Sequence, residues 1–307
     1  MALAVCGAAT ISFSAILVRA ANVSPSTAAI FRCAYALPVL GLLAYLERSH
    51  TRDQHVRRRP WLAAAAGIFL ATDLISWHHA IADVGAGLAT VLGNAQVAVV
   101  PFAAWCLYRE RLSRRVLVML PVAILGVVLV SGVIGGHAYG SHPATGAAFG
   151  AVTALTYTIF LLLLRAGSGP AATIEPLLIA TAIGTVAATL IGAIVGDAQF
   201  VPTWPAHAWL ALLALTSQVL GWVLITYALP RLPAATTSII LTVQPVGSLI
   251  FAALIFGEDP GVVQLVGAAL ILVTLTTMSL RSRSPASAAP RRASRGHSAA
   301  RHRARGR

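Results

Sequence analysis

One feature constrains this chain more than any other. Apolar runs of similar length follow one another from residue 2 to residue 280, parted by short breaks such as NVSPS, GGHAYGSHPATG, RAGSGP and GEDPG. A helix rises about 1.5 Å per residue, so about 20 apolar residues cross the roughly 30 Å hydrocarbon core of a bilayer. The runs therefore predict ten spans, at 2–19, 25–47, 61–83, 86–108, 116–134, 146–165, 175–196, 207–229, 234–256 and 261–280. Gly, Pro, Asn and Ser in the breaks supply turn chemistry. Hydrophobic residues make up 58% of the chain and charged residues 10%. Soluble domains carry about 45–50% and about 25%, which excludes a soluble enzyme and leaves an all-α integral membrane protein.

Charge orients the spans. The net charge is +13, and all 22 basic residues are arginine. With a cytoplasmic N-terminus, the inner loops and the C-terminal tail hold 20 arginines, whereas the outer loops hold only Arg19. That asymmetry satisfies the positive-inside rule for a multi-pass plasma-membrane protein with both termini cytoplasmic. The segment 2–18 has no basic leader or cleavage site and reads as a retained first helix. The tail, 281–307, lacks apolar periodicity and reads as a disordered cytoplasmic anchor beside anionic headgroups. Arginine without interleaved aromatics is an electrostatic footprint only, so no nucleic-acid partner is expected. Cys6, Cys33 and Cys106 have no metal-ligand spacing and read as packing residues. No GxxxxGK, HExxH, GxSxG or CxxC occurs, so neither cofactor nor metal is expected and the chain is not read as an enzyme.

The chain also matches itself. A shift of 148 residues superimposes WHHAIADVGAGLATVLGNAQ on ITYALPRLPAATTSIILTVQ, bringing Gln96 onto Gln244 and Glu110 onto Glu258. Five spans per copy is an odd number, so the second copy must enter the membrane from the opposite side. The expected organisation is two inverted five-helix repeats, 1–134 and 146–280, joined by an outer linker at 135–145. Transporters built this way place the solute near the midplane, where the repeats meet.

The segment TSIILTVQPVGSLIFAALIFGEDPGVVQLVGAALILV carries Pro245 within a helix, Glu258 beyond it and Gly267 in the next helix. The first copy, LATVLGNAQVAVVPFAAWCLYRERLSRR and onward, has Val97 at the proline's place, Pro101 one turn later, Glu110, and Met119 at the glycine's place. This pattern resembles the EamA family of the drug/metabolite transporter superfamily. The resemblance implies a secondary carrier, chiefly an exporter, of a small amino-acid-like, nucleobase-like or toxic amphiphilic solute. It leaves the substrate, the coupling proton and self-association open. A membrane enzyme acting on a lipid-linked substrate, with Asp73 and His78 as acid and base, is the rival reading. A sensor or scaffold acting through the tail is a third.

Polar residues inside the spans nominate the site. An ionisable group at a helix centre costs about 2.5–3.5 kcal/mol by insertion measurements, so it faces protein or a wet cavity. Asp73 is mid-span, on a face shared with Ser76 and Trp77. Arg32 lies at a matching depth, which suggests an ion pair with Asp73. His78 and His79 are about 100° apart on their helix, so both cannot face one cavity equally, and one of them is the candidate to bind solute or relay a proton. Asn94, Gln96 and Gln244 offer amides near the midplane, while Tyr157, Gln218, Trp222 and Tyr227 offer lining from the second half. Pro101, Glu110, Pro245 and Glu258 read as structural or gate residues, with Glu110 in reach of Arg114. Trp61, Trp204 and Trp209, near span ends, read as interfacial anchors.

Overall fold

The computed structural model describes residues 2–50, 59–96, 114–130, 134, 139–167, 174–228 and 243–279. All regular structure among them is helical. The helices are α1 (Ala2–Ser12), α2 (Ser14–Ala21), α3 (Pro25–His50), α4 (Pro60–Val84), α5 (Ala86–Asn94) and α6 (Arg114–Val130). They continue with α7 (Pro143–Gly167), α8 (Ile174–Val195), α9 (Ala206–Leu213), α10 (Trp222–Ala228), α11 (Val243–Phe256) and α12 (Val262–Ser279). A π-helical stretch, Ala214–Gly221, fuses α9 to α10. Helices α3, α4 and α7 each begin on a proline, whose fixed φ suits the first turn and whose missing N–H would be unsatisfied there anyway.

Five stretches are long and apolar enough to cross a bilayer: Pro25–Ser49, Pro60–Val84, Pro143–Leu164, Ile174–Val195 and Ala206–Ile225. Shorter apolar helices cover Cys6–Ala21, Leu117–Val130, Gln244–Phe256 and Val262–Thr274. Leu42, Ile68, Leu190, Ile194, Leu254 and Val262 point outward and are exposed. An apolar exterior of this kind belongs in lipid, and the chain is a multi-pass membrane protein. Trp61 and Trp204 are exposed at the start of α4 and just before α9.

Small residues set the closest crossings. At α4 against α8, a Cβ on Gly67 would lie 2.5 Å from the Ala180 carbonyl. At α6 against α12, Cβ atoms on Gly126 and Gly267 would meet each other's carbonyl oxygens at 2.8 and 2.7 Å. Around these crossings α4 packs on α7 and α8, α3 on α8, and α5 on α11.

Three expected continuous spans contain irregularities. The first opens at Phe13, where Ser248 of α11 donates to the Ser12 carbonyl (2.7 Å). The fourth tightens after Asn94, whose Nδ2 donates to the Thr90 carbonyl (2.8 Å) while the Ala95 N–H reaches back only to Leu92. The eighth contains the π stretch, which adds a residue to the turn carrying Gln218. The rest of the fourth span, with Pro101 and Glu110, lies outside the described residues, as do 229–242, the tail 281–307 and the Tyr227 side chain.

Candidate functional site

Two cavities lie one above the other along α2, α4 and α5. The inner one, about 80 Å³, is lined by residues of both halves of the chain. Helix α4 contributes Leu70, Asp73, Leu74 and Trp77, one face at i, i+3, i+4 and i+7 spacing. That face is turned from the expected Asp73–Ser76–Trp77 one, for Ser76 is buried and not in the lining. Arg32 enters from α3, Asn94 and Gln96 come from α5 and the turn after it, and Tyr157, Trp222 and Gln244 come from α7, α10 and α11. Ser14, Thr90 and Thr153 also line it, and sequence reasoning missed all three. Hydroxyls abound in these helices and usually bond back to the preceding turn, as Thr90 does to Ala86, so no signal singles them out.

The direct Arg32–Asp73 ion pair expected from their depth is not formed. Arg32 Nε donates to Gln218 Oε1 (3.1 Å) and an Nη to Ser14 Oγ (3.1 Å), while the guanidinium lies 5.7 Å from the Trp77 ring centroid. Gln218 is wholly buried and also donates to Thr181 Oγ1, so it is a bracket behind Arg32 and not part of the lining. Asp73, 5% exposed, keeps a buried Oδ1 with no hydrogen-bond partner. Three more lining atoms are buried without partners: Gln96 Oε1, Gln244 Nε2 and Thr153 Oγ1. Four residues around one cavity thus each carry a buried polar atom without a partner. Buried polar atoms are nearly always paired, so such a cluster marks where a solute or ordered water bonds. Tyr157, Phe160 and Trp222 pack into an aromatic wall, with Phe160 and Trp222 edge to face at 5.3 Å between centroids.

The two expected histidines separate. His79 stacks on Phe149 of α7 at 4.7 Å and lines neither cavity. His78 faces the second cavity, about 520 Å³, together with Arg19, Asn22, Gly85, Tyr139 and Ser141. Its Nδ1 is 3.0 Å from the Pro25 carbonyl, an acceptor only, so Nδ1 carries the proton and the partnerless Nε2 is left as an acceptor. Asp73 and His78 therefore line different cavities. Among the described residues no three His, Cys, Asp or Glu side chains gather to hold a metal ion.

Glu258 is buried where α11 ends. It bonds Arg19, and its oxygens accept from the Ala86 N–H (2.8 Å) and Gly87 N–H (3.1 Å) at the start of α5. The sequence reading placed it at a helix end but did not foresee these partners, which lie more than 170 residues away in the chain.

The EamA-like transporter family model matches residues 1–132 and 144–280, nearly the whole length. The chain belongs to the EamA-like transporter family. The EamA match falls in two segments, one in each half of the chain. A solved crystal structure with 14% sequence identity superposes with a TM-score of 0.58, covering 91% of this chain and 97% of that one, and so shares the fold. No curated protein matches the sequence.

Proposed function

We propose that this EamA-family protein is a secondary transporter, working as an exporter, for a small zwitterionic solute of the amino-acid type. Its inner cavity is the binding site. The observation that carries the reading is that Arg32 is hydrogen-bonded by neutral partners while the buried Asp73 Oδ1 has no hydrogen-bond partner. An isolated buried carboxylate is costly, and a solute ammonium at Asp73 with its carboxylate toward Arg32 offsets that cost at both ends. Gln96, Gln244 and Thr153 supply the remaining hydrogen bonds, and Trp77, Tyr157 and Trp222 the apolar contact. At about 10–15 Å³ per water-sized position, 80 Å³ admits a solute of only a few heavy atoms, so a larger one requires the cavity to widen. Nucleobase-like solutes and toxic amphiphiles would use the aromatic wall without needing both charges.

Alternating access of two inverted five-helix repeats is the mechanism. The helix contacts support it. Exchanging each helix with the one 148 residues away carries α4–α7 onto α1 with the π stretch and α10. The pairs α3–α8 and α6–α12 exchange onto themselves. We place both termini in the cytoplasm of a plasma-membrane protein, which puts the second cavity on the outside as a vestibule. Solute moves the equilibrium only by its difference in affinity between the two states.

The test is metabolite profiling of medium and cytoplasm from cells expressing wild type, Asp73→Asn, or Gln96→Ala with Gln244→Ala at equal levels. A zwitterion depleted inside and enriched outside with wild type alone supports the reading. The opposite gradient would mean uptake. Equal profiles in all three lines would refute it.

A further inference from the structure

We infer that Glu258 and Arg19 form the gate that shuts the inner cavity from the vestibule. The two cavities share α2 and α4 at different heights, and the second ends at Gly85, just before α5. On α2 the inner cavity touches Ser14 and the vestibule touches Arg19; along α5 the inner cavity touches Thr90 and the vestibule the preceding Gly85. Five residues of helix separate each pair, about 7.5 Å of rise. Arg19 and the Glu258 carboxylate stand at the vestibule end of that rise, beside Gly85.

Its carboxylate does three things at once. Glu258, on the second half of the chain, neutralises Arg19 at the end of α2 and caps the first two N–H groups of α5, both in the first half. A carboxylate on free N–H groups at a helix N-terminus makes charge-assisted bonds and complements the helix dipole. Gly85 makes room for it: a Cβ there would lie 2.7 Å from Glu258 Oε2, and φ of +86° already favours glycine. Arg19 is braced in turn by the Tyr139 hydroxyl (3.2 Å) and by the Phe256 ring, 4.7 Å from its guanidinium carbon. Gln264 of α12 holds Tyr139 by its backbone, accepting from the N–H (2.6 Å) and donating to the carbonyl (3.1 Å). Separating α5 from α11 must break the Glu258 cap, and nothing else polar joins these two helices among the described residues. The inference extends the proposed function and rests on it only for which face is outer.

The test needs no substrate. Thr90→Cys is placed in the full chain after Cys6→Ala, Cys33→Ala and Cys106→Ala, and labelled with a membrane-impermeant sulfonated maleimide in intact cells and in inverted vesicles. With the gate intact, labelling from the vestibule face is slow. Glu258→Gln and Arg19→Gln each raise that rate about tenfold, and Arg19→Lys keeps it low. Faster labelling seen only in inverted vesicles would reverse the orientation and leave the gate standing. Arg19→Gln leaves the cap on α5 in place and is read by itself if Glu258→Gln does not accumulate. Unchanged labelling in both variants, or failure of both to fold, overturns the gate.

Discussion

Arg32 is bonded to Gln218, not to the aspartate at its own depth. The neutral amide holds the guanidinium in place without cancelling its charge. Gln218→Leu removes that acceptor and leaves a buried donor unsatisfied, at a cost of about 1–3 kcal/mol. Gln218→Glu keeps the bond and adds an anion. We expect Gln218→Glu to unfold at or above the wild-type temperature in detergent yet to transport at least about tenfold more slowly, because Arg32 is then paired. Gln218→Leu should lose both stability and transport. Purified protein in a thermal-unfolding assay, alongside proteoliposome flux, separates the two.

Asp73→Asn should act oppositely to an ordinary buried substitution. Breaking a buried ion pair costs about 3–5 kcal/mol, but Asp73 has no ion pair to break. Replacing its unpaired carboxylate with an isosteric amide should leave the unfolding temperature unchanged or higher while transport falls at least about tenfold. A large fall in stability with Asp73→Asn would show that the carboxylate is a structural partner.

The lining of the inner cavity is legible in the chain wherever a residue is improbable in lipid. Asp73, Arg32, Gln96 and Gln244 stand out for that reason, and the 148-residue shift by itself relates the last two. Threonine and serine cannot be singled out, since lipid tolerates a hydroxyl bonded to its own helix. Which histidine faces a cavity is undetermined by sequence, because adjacent residues differ by only 100° and the rotation of α4 depends on its packing against α7 and α8. The Arg19–Glu258 contact is hidden for another reason. It spans 239 residues, and nothing local to either side chain names the other.

Helix packing gives a prediction independent of function. At the α6–α12 crossing the glycines put backbone against backbone, so Gly126→Val must push the helices apart. Overpacking of this kind costs about 1–3 kcal/mol. Gly41, where a Cβ would meet nothing within 4 Å, is the control, and Gly41→Ala should be neutral or slightly stabilising through helix propensity. Unfolding temperatures of the two variants should therefore move apart.

Gln96 and Gln244 come from opposite halves of the chain, and each presents one buried partnerless atom, an acceptor and a donor respectively. Those two atoms do not bond each other, and in the proposed function both bond the solute. If both bond the same molecule, Gln96→Ala and Gln244→Ala should each weaken binding by about 0.5–1.5 kcal/mol, the net worth of one hydrogen bond. The double variant should then lose less than the sum, because a solute released at one end no longer holds its geometry at the other. Protein stability should change little, since neither atom has a protein partner to lose. Solute affinity for the four proteins, measured by titration in detergent, gives the coupling directly. Strict additivity would assign the two amides to separate ligands or to water, and would divide the inner cavity into two independent sites.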